Sequence, residues 1–230
     1  MQIRNNRSTP YALVLLAAAA FAIPAHGANI YDSIPAPLPP NVPSLGYQAT
    51  QTAEFGDLIQ FGGTGRTLTQ VTLVMSDWAL ASTYSSTSPT WNHPVTLNLY
   101  NLNTSDPFPA PGTLIATQTN TYAIPWRPEA DPTCPGGTAW RASDGNCYNG
   151  YAFTITFDFT GTTVPDQIIY GVAYNTNTWG YAPIGQPGPY ESLNFGLAQV
   201  PPTTGSNPLP DTAFVADGAM PVLVLSLIHI

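Results

Sequence analysis

Residues 153–160 read FTITFDFT, with Phe153, Ile155, Phe157 and Phe159 interleaved with Thr154, Thr156, Asp158 and Thr160. Successive side chains of an extended strand point to opposite faces, so this alternation predicts a strand with one apolar face and one wet face. The same period of two recurs upstream. Val71, Leu73 and Met75 alternate with Thr72, Val74 and Ser76, and Val95, Leu97 and Leu99 alternate with Thr96, Asn98 and Tyr100. Further strands are expected at 47–52, 57–61, 114–121 and 167–174, the last apolar on both faces and therefore central in its sheet. Gly63-Thr64-Gly65, Pro109-Ala110-Pro111-Gly112 and Gly185-Gln186-Pro187-Gly188 supply turn chemistry between them. No segment outside the N-terminal apolar run carries a capped helical stripe. Many short strands and 28 threonines predict an all-β fold, an antiparallel sandwich of jelly-roll type with long loops and one disulfide.

The chain has 230 residues, a net charge of −8, 8% charged side chains, and arginine but no lysine. About 25% charged is usual for soluble proteins. So few cations leave no basic footprint for a phosphate backbone, which excludes nucleic acid as a partner and disfavours anionic membranes. Proline and glycine make 44 of the 230 residues, below the roughly 25–30% of disordered chains.

Residues 1–27 read as a signal peptide. Arg4 and Arg7 precede an apolar run over 11–23, and Ala25-His26-Gly27 places small residues before a cleavage site at Ala28. Thirteen apolar residues fall short of the roughly 20 a membrane-spanning helix needs. Residues 28–44 form a proline-rich linker, with prolines at 35, 37, 39, 40 and 43, and 45–224 the sandwich domain. At the other end, 225–230 (LSLIHI) matches the translation of CTG TCT CTT ATA CAC ATC, which resembles a transposon adapter of sequencing libraries, and is expected to be an artefact. The mature chain then carries three arginines, thirteen acids and one histidine, His93. It contains no transmembrane span.

Cys134 and Cys147 lie in a long loop, 125–150, and in an exported chain two lone cysteines predict a disulfide. The loop also holds Trp126-Arg127, Trp140-Arg141, Glu129, Asp131, Asp144 and Asn146. Two readings stay open. Arginine–carboxylate pairs would pin an irregular loop whose tryptophans pack on the sheet edge. Alternatively, Trp126 and Trp140 would stack on sugar rings while Arg127, Arg141 and Glu129 hold hydroxyls. A second aromatic loop with Trp179, Tyr181 and Tyr190 admits the same pair of readings: a cover over the end of the sandwich, or a binding platform. Glu129, Asp131, Asp144 and Asn146 form a weak calcium candidate without EF-hand spacing, and no other metal or cofactor is expected.

Catalysis finds little support. His93 before Pro94 is the only mature histidine, and neither GxSxG nor HExxH occurs. Glycoside hydrolysis needs only two carboxylates, which Glu54, Glu129, Glu191 and several aspartates could furnish.

The segments EFGDLIQFGGTGRTLTQVTLVMSDW, HPVTLNLYN, PGTLIATQT and VPDQIIYGVAYNT, together with the loop around Cys134 and Cys147, resemble secreted bacterial β-sandwich proteins of the choice-of-anchor type, often associated with PEP-CTERM signals. That resemblance implies export, a sandwich fold and surface or matrix association, and it carries no catalytic residues. The expected function is therefore an exported, non-catalytic sandwich with a structural or adhesive role at the cell surface or in the extracellular matrix. The alternative is a carbohydrate-binding module, less readily a glycosidase, that meets extracellular glycans through its Trp/Tyr loops.

Overall fold

The computed structural model describes residues 28–105, 108–198, 200–218 and 222–226. The signal-peptide reading of 1–27 lies outside the described residues, as does the adapter reading except for Leu225 and Ser226. Thirteen elements carry the architecture: β1 (Ser44–Gly46), a helical turn α1 (Tyr47–Thr50), β2 (Thr52–Gln60), β3 (Gln70–Asp77), β4 (Thr90–Asn103), β5 (Ala110–Pro125), β6 (Trp140–Arg141), β7 (Cys147–Tyr148), β8 (Tyr151–Asp158), β9 (Gln167–Ala173), β10 (Leu193–Gly196), β11 (Ala213–Asp217) and β12 (Val224–Ser226).

One sheet runs β1-β10-β3-β8 and the other β12-β11-β2-β9-β4-β5, with every strand pair antiparallel. Setting aside the small β6–β7 hairpin and the C-terminal pair β11–β12, eight principal strands remain. Renumbered in chain order, they read 1-8-3-6 in one sheet and 2-7-4-5 in the other. That is the strand order of a jelly roll, whose two Greek keys wind each strand pair across both sheets. The central position expected for 167–174 is met by β9, which lies between β2 and β4.

The core follows from the alternation. On β8, Ile155 and Phe157 are buried, as is Phe159 just beyond it, while Thr154, Thr156 and Asp158 are exposed. Leu73 and Met75 of β3 lie on the same inner face, opposite Ile155 and Phe153. From the facing sheet Phe55, Val95, Leu97, Leu99, Ile168 and Val172 complete one cluster. Each such side chain contributes about 1.5–3 kcal/mol by leaving water. A smaller cluster of Leu58, Ile169 and Phe214 sits on the outer face of the six-stranded sheet, with Leu223 and Leu225 packed against it.

One expected strand is corrected. Residues 47–50 form a helical turn that ends at Gln51 in the left-handed region, φ 59°. The turn carries the chain from one sheet to the other and drives Tyr47 inward. There its ring stacks on Tyr174 with centroids 4.0 Å apart, and its hydroxyl donates to the Val172 carbonyl at 2.5 Å. Burying that large amphipathic side chain outweighs the local strand pattern. The proline-rich segment lies along the sandwich as a strap. Ala152 N–H donates to Pro40 O, Leu197 N–H donates to Pro43 O, and Val42 is buried.

Candidate functional site

The long loop is closed by the Cys134–Cys147 disulfide, with Cα atoms 5.9 Å apart, and by the β6–β7 hairpin. Its charged and aromatic groups are used internally. Arg127 is 7% exposed and donates from Nη1 to Asn149 O and from Nη2 to Thr138 O, both at 3.0 Å. Burial pulls its pKa down, against the favourable charges of Glu129 and Asp77. Trp140, also 7% exposed, donates from Nε1 to Gly150 O at 2.7 Å. Trp126 is half-buried, stacked on Tyr84 with its Nε1 donating to Ser88 O. These placements leave Trp140 and Arg127 no free face for a ligand. Of the loop's sugar-binding candidates, Glu129 accepts from Ser82 N–H and Oγ–H, and Arg141 pairs with Asp131 at 2.9 Å.

The calcium candidates do not converge. Asp131 accepts from Thr133 and Arg141, and Asp144 accepts from Tyr148 and Asn146, so both carboxyls titrate below their usual range, chiefly through the Thr133 and Tyr148 hydroxyls. Among the described residues no group of three or more His, Cys, Asp or Glu side chains is arranged to hold a metal ion.

At the neighbouring end of the sandwich, His93 is buried between aromatic rings. It stacks on Tyr190 with centroids 5.1 Å apart, and its Nε2–H donates to Asn175 O at 2.9 Å. Desolvation lowers its pKa to about 4 against that bond, so the ring is neutral. Asp77 is fully buried there and accepts from Trp91 Nε1 and Ala79 N–H, and desolvation raises its pKa to about 7. Tyr190, a binding candidate in the sequence, serves here as the cover over His93.

A different set meets on the outer face of the six-stranded sheet. Glu54 of β2, 2% exposed, lies across Gly171 of β9, where a Cβ would fall 2.0 Å from Glu54 Oε1. Its carboxylate accepts from Asn98 Nδ2 at 2.9 Å, from the Tyr100 hydroxyl at 3.0 Å, and from the Tyr181 hydroxyl. Thr117 completes the chain by donating to Asn98 Oδ1 at 2.6 Å. Burial, reinforced by Glu54, raises the pKa of both tyrosines, so their hydroxyls stay protonated and donate.

Beside this cluster, Ala53, Thr178, Trp179, Gly180, Tyr181, Asp217 and Gly218 line a pocket of about 320 Å3. Trp179 and Tyr181 were legible as aromatics of one loop. Glu54 was legible only as one carboxylate among several, because its partners arrive from 44, 46 and 127 residues away. Asp217 and Gly218 carried no signal. The three glutamates considered for hydrolysis stand on separate elements: Glu54 on β2, Glu129 in the disulfide loop, and Glu191 in the short 3-10 turn before β10. No family model, no curated protein and no solved structure matches this chain.

Proposed function

We propose that this chain is an exported, non-catalytic jelly-roll module with a structural or adhesive role at the cell surface or in the extracellular matrix, of the kind its resemblance to choice-of-anchor sandwiches suggests. The observation that carries this reading is the state of the loop 125–150. The concentration of charge and tryptophan that would have furnished reactive groups is used to tie the loop to itself, through Arg127, Trp140, the Arg141–Asp131 pair and a disulfide, and to the sandwich, through Glu129 on Ser82 and Trp126 on Ser88. A disulfide in this position suits an oxidising compartment. His93, the single histidine of the mature chain, is neutral, buried and bonded to a backbone carbonyl, which suits packing better than base catalysis.

The test is fractionation of bacteria expressing the full chain beside a version lacking residues 1–27. The full chain should be recovered outside the cytoplasm beginning at Ala28, with the Cys134 and Cys147 peptides linked. The shortened version should stay inside. Cytoplasmic retention of the full chain with two free thiols would overturn export. Hydrolysis of a panel of glycosides by the purified protein, abolished in Glu54→Gln, would overturn the non-catalytic role.

A further inference from the structure

The pocket beside the Glu54 cluster has a lining that selects among ligand chemistries. Its volume, about 320 Å3, lies at the small end of ligand pockets, roughly 300–1,000 Å3. That suits a single ring. Two of its walls are aromatic, Trp179 and Tyr181. Tyr181 is 59% exposed, yet its hydroxyl is tied to Glu54 at the rear, so the ring is held while much of it stays in water. The polar residues of the lining are Asp217 and Thr178, with backbone at Gly180 and Gly218. Among the described residues no cation lines the pocket and an aspartate does, so phosphates, sulfates and uronates are disfavoured. A wholly apolar ligand would cover the polar lining without offering it a hydrogen bond.

What remains is a ligand with an apolar face and a rim of hydroxyls. We infer that this pocket binds one ring of a neutral extracellular glycan. The C–H face of a pyranose packs on the aromatic walls, and its hydroxyls donate to the Asp217 carboxylate. Ionised carboxylates offer about four acceptor sites, so Asp217 can serve a ligand beside a partner within the protein.

The turn that presents Trp179 is built in advance, which lowers the ordering cost of binding. Thr176 N–H donates to Trp179 O at 2.9 Å, and Trp179 N–H donates to Thr176 Oγ at 3.0 Å. Gln48 clasps Thr178 through both ends of its amide. Gly180 takes φ +117°, and Gly218 lies so close beneath Trp179 that a Cβ would fall 2.4 Å from the indole ring. Glu54, enclosed by three donors, is not available to a cation, so an ammonium ligand gains no second carboxylate there beside Asp217.

This inference rests on the adhesive reading above, and its test uses purified protein so that export and binding fail separately. The full chain and variants are applied to an array of neutral, acidic and amino-substituted glycans, and the best ligand is titrated by calorimetry. Neutral glycans should be retained. Losing the indole wall in Trp179→Ala, or displacing it in Gly218→Ala, should weaken binding about tenfold or more, as truncated aromatic anchors do. Trp126→Ala, in the disulfide loop, should bind as the parent does. Should Trp179→Ala fail to fold, as judged by thermal melting, Gly218→Ala and Asp217→Asn decide. A blank array, retention unaffected by the pocket variants, loss in Trp126→Ala instead, or preference for amines such as putrescine over neutral sugars would each overturn the inference.

Discussion

Gly171 shows how a single missing side chain organises the outer face. Glu54 is one of very few buried carboxylates, and it lies where a Cβ on Gly171 would stand 2.0 Å from its oxygen. The facing glycine, Gly56, is tighter still: a Cβ there would fall 1.6 Å from the Tyr170 carbonyl oxygen. Gly171→Ala is expected to expel the Glu54 carboxylate from Asn98, Tyr100 and Tyr181 and to cost about 2–3 kcal/mol, because buried donors are left without their acceptor. Urea denaturation measures the loss. An unchanged midpoint would mean that the cluster adds nothing to stability. In sequence Gly171 is only an interruption of an apolar run and Glu54 one acid in thirteen. Both acquire meaning from a strand register that pairs β2 with β9 across more than a hundred residues, and no local pattern encodes that register.

At the scale of elements, legibility follows locality. The strands β3, β4 and β8 announce themselves because one wall of each meets the core while the other is polar, wet on β8 and partly covered at Ser76 of β3 and Asn98 of β4, so period two is written into consecutive residues. The turn at Tyr47–Thr50 does not, because its conformation is set by where Tyr47 must go, onto Tyr174 and the Val172 carbonyl. The loop 125–150 is intermediate. Its disulfide could be read from two cysteines, whereas the choice between a recognition surface and an internal network depended on burial that only the fold decides. The bridge closes a segment with a sequence separation of 13, worth about 3 kcal/mol in the chain-entropy model. The β6–β7 pairing, Arg127 and Trp140 hold the same segment independently. Cys134→Ser with Cys147→Ser should therefore lower the melting temperature while leaving the sandwich folded, and limited proteolysis should then cut first within 125–150. First cuts within β3 or β8 instead would show that the bridge supports the sheets themselves.

For the whole molecule, burial of a few ionisable groups in a chain so poor in charge sets the dependence of stability on pH. Among the described residues, three groups bear on the range between about pH 4 and 6.5. His93 has its folded pKa lowered to about 4, from an ordinary value of 6.5, by desolvation. Asp57 and Asp77 are raised to about 7, again chiefly by desolvation, against hydrogen bonds from Asn207 and Leu58 in one case and from Trp91 and Ala79 in the other. Around pH 5–6 the unfolded chain binds a proton at His93 and none at the two aspartates. The folded chain binds none at His93 and one at each aspartate. The folded state thus holds one more proton, and stability falls as pH rises, by about 1.4 kcal/mol per pH unit for one proton. The fall ends just above pH 7, once both aspartates are ionised in either state. Below about pH 4 the slope reverses, since Asp131, Asp144 and Asp158 have lowered folded pKa values and their contribution is lost as they protonate. Stability should therefore peak near pH 4 to 5, on the acid side of neutrality. Two substitutions separate the contributors through the slope rather than the midpoint. Asp57→Asn removes one folded-state proton and should leave the curve nearly flat between pH 5 and 6, whereas His93→Gln removes the opposing group and should about double the slope. Urea midpoints taken every half pH unit provide the reading. A parent protein whose stability rises from pH 5 to 6.5, or variants that shift the curve without changing its slope, would show that these buried groups do not govern it.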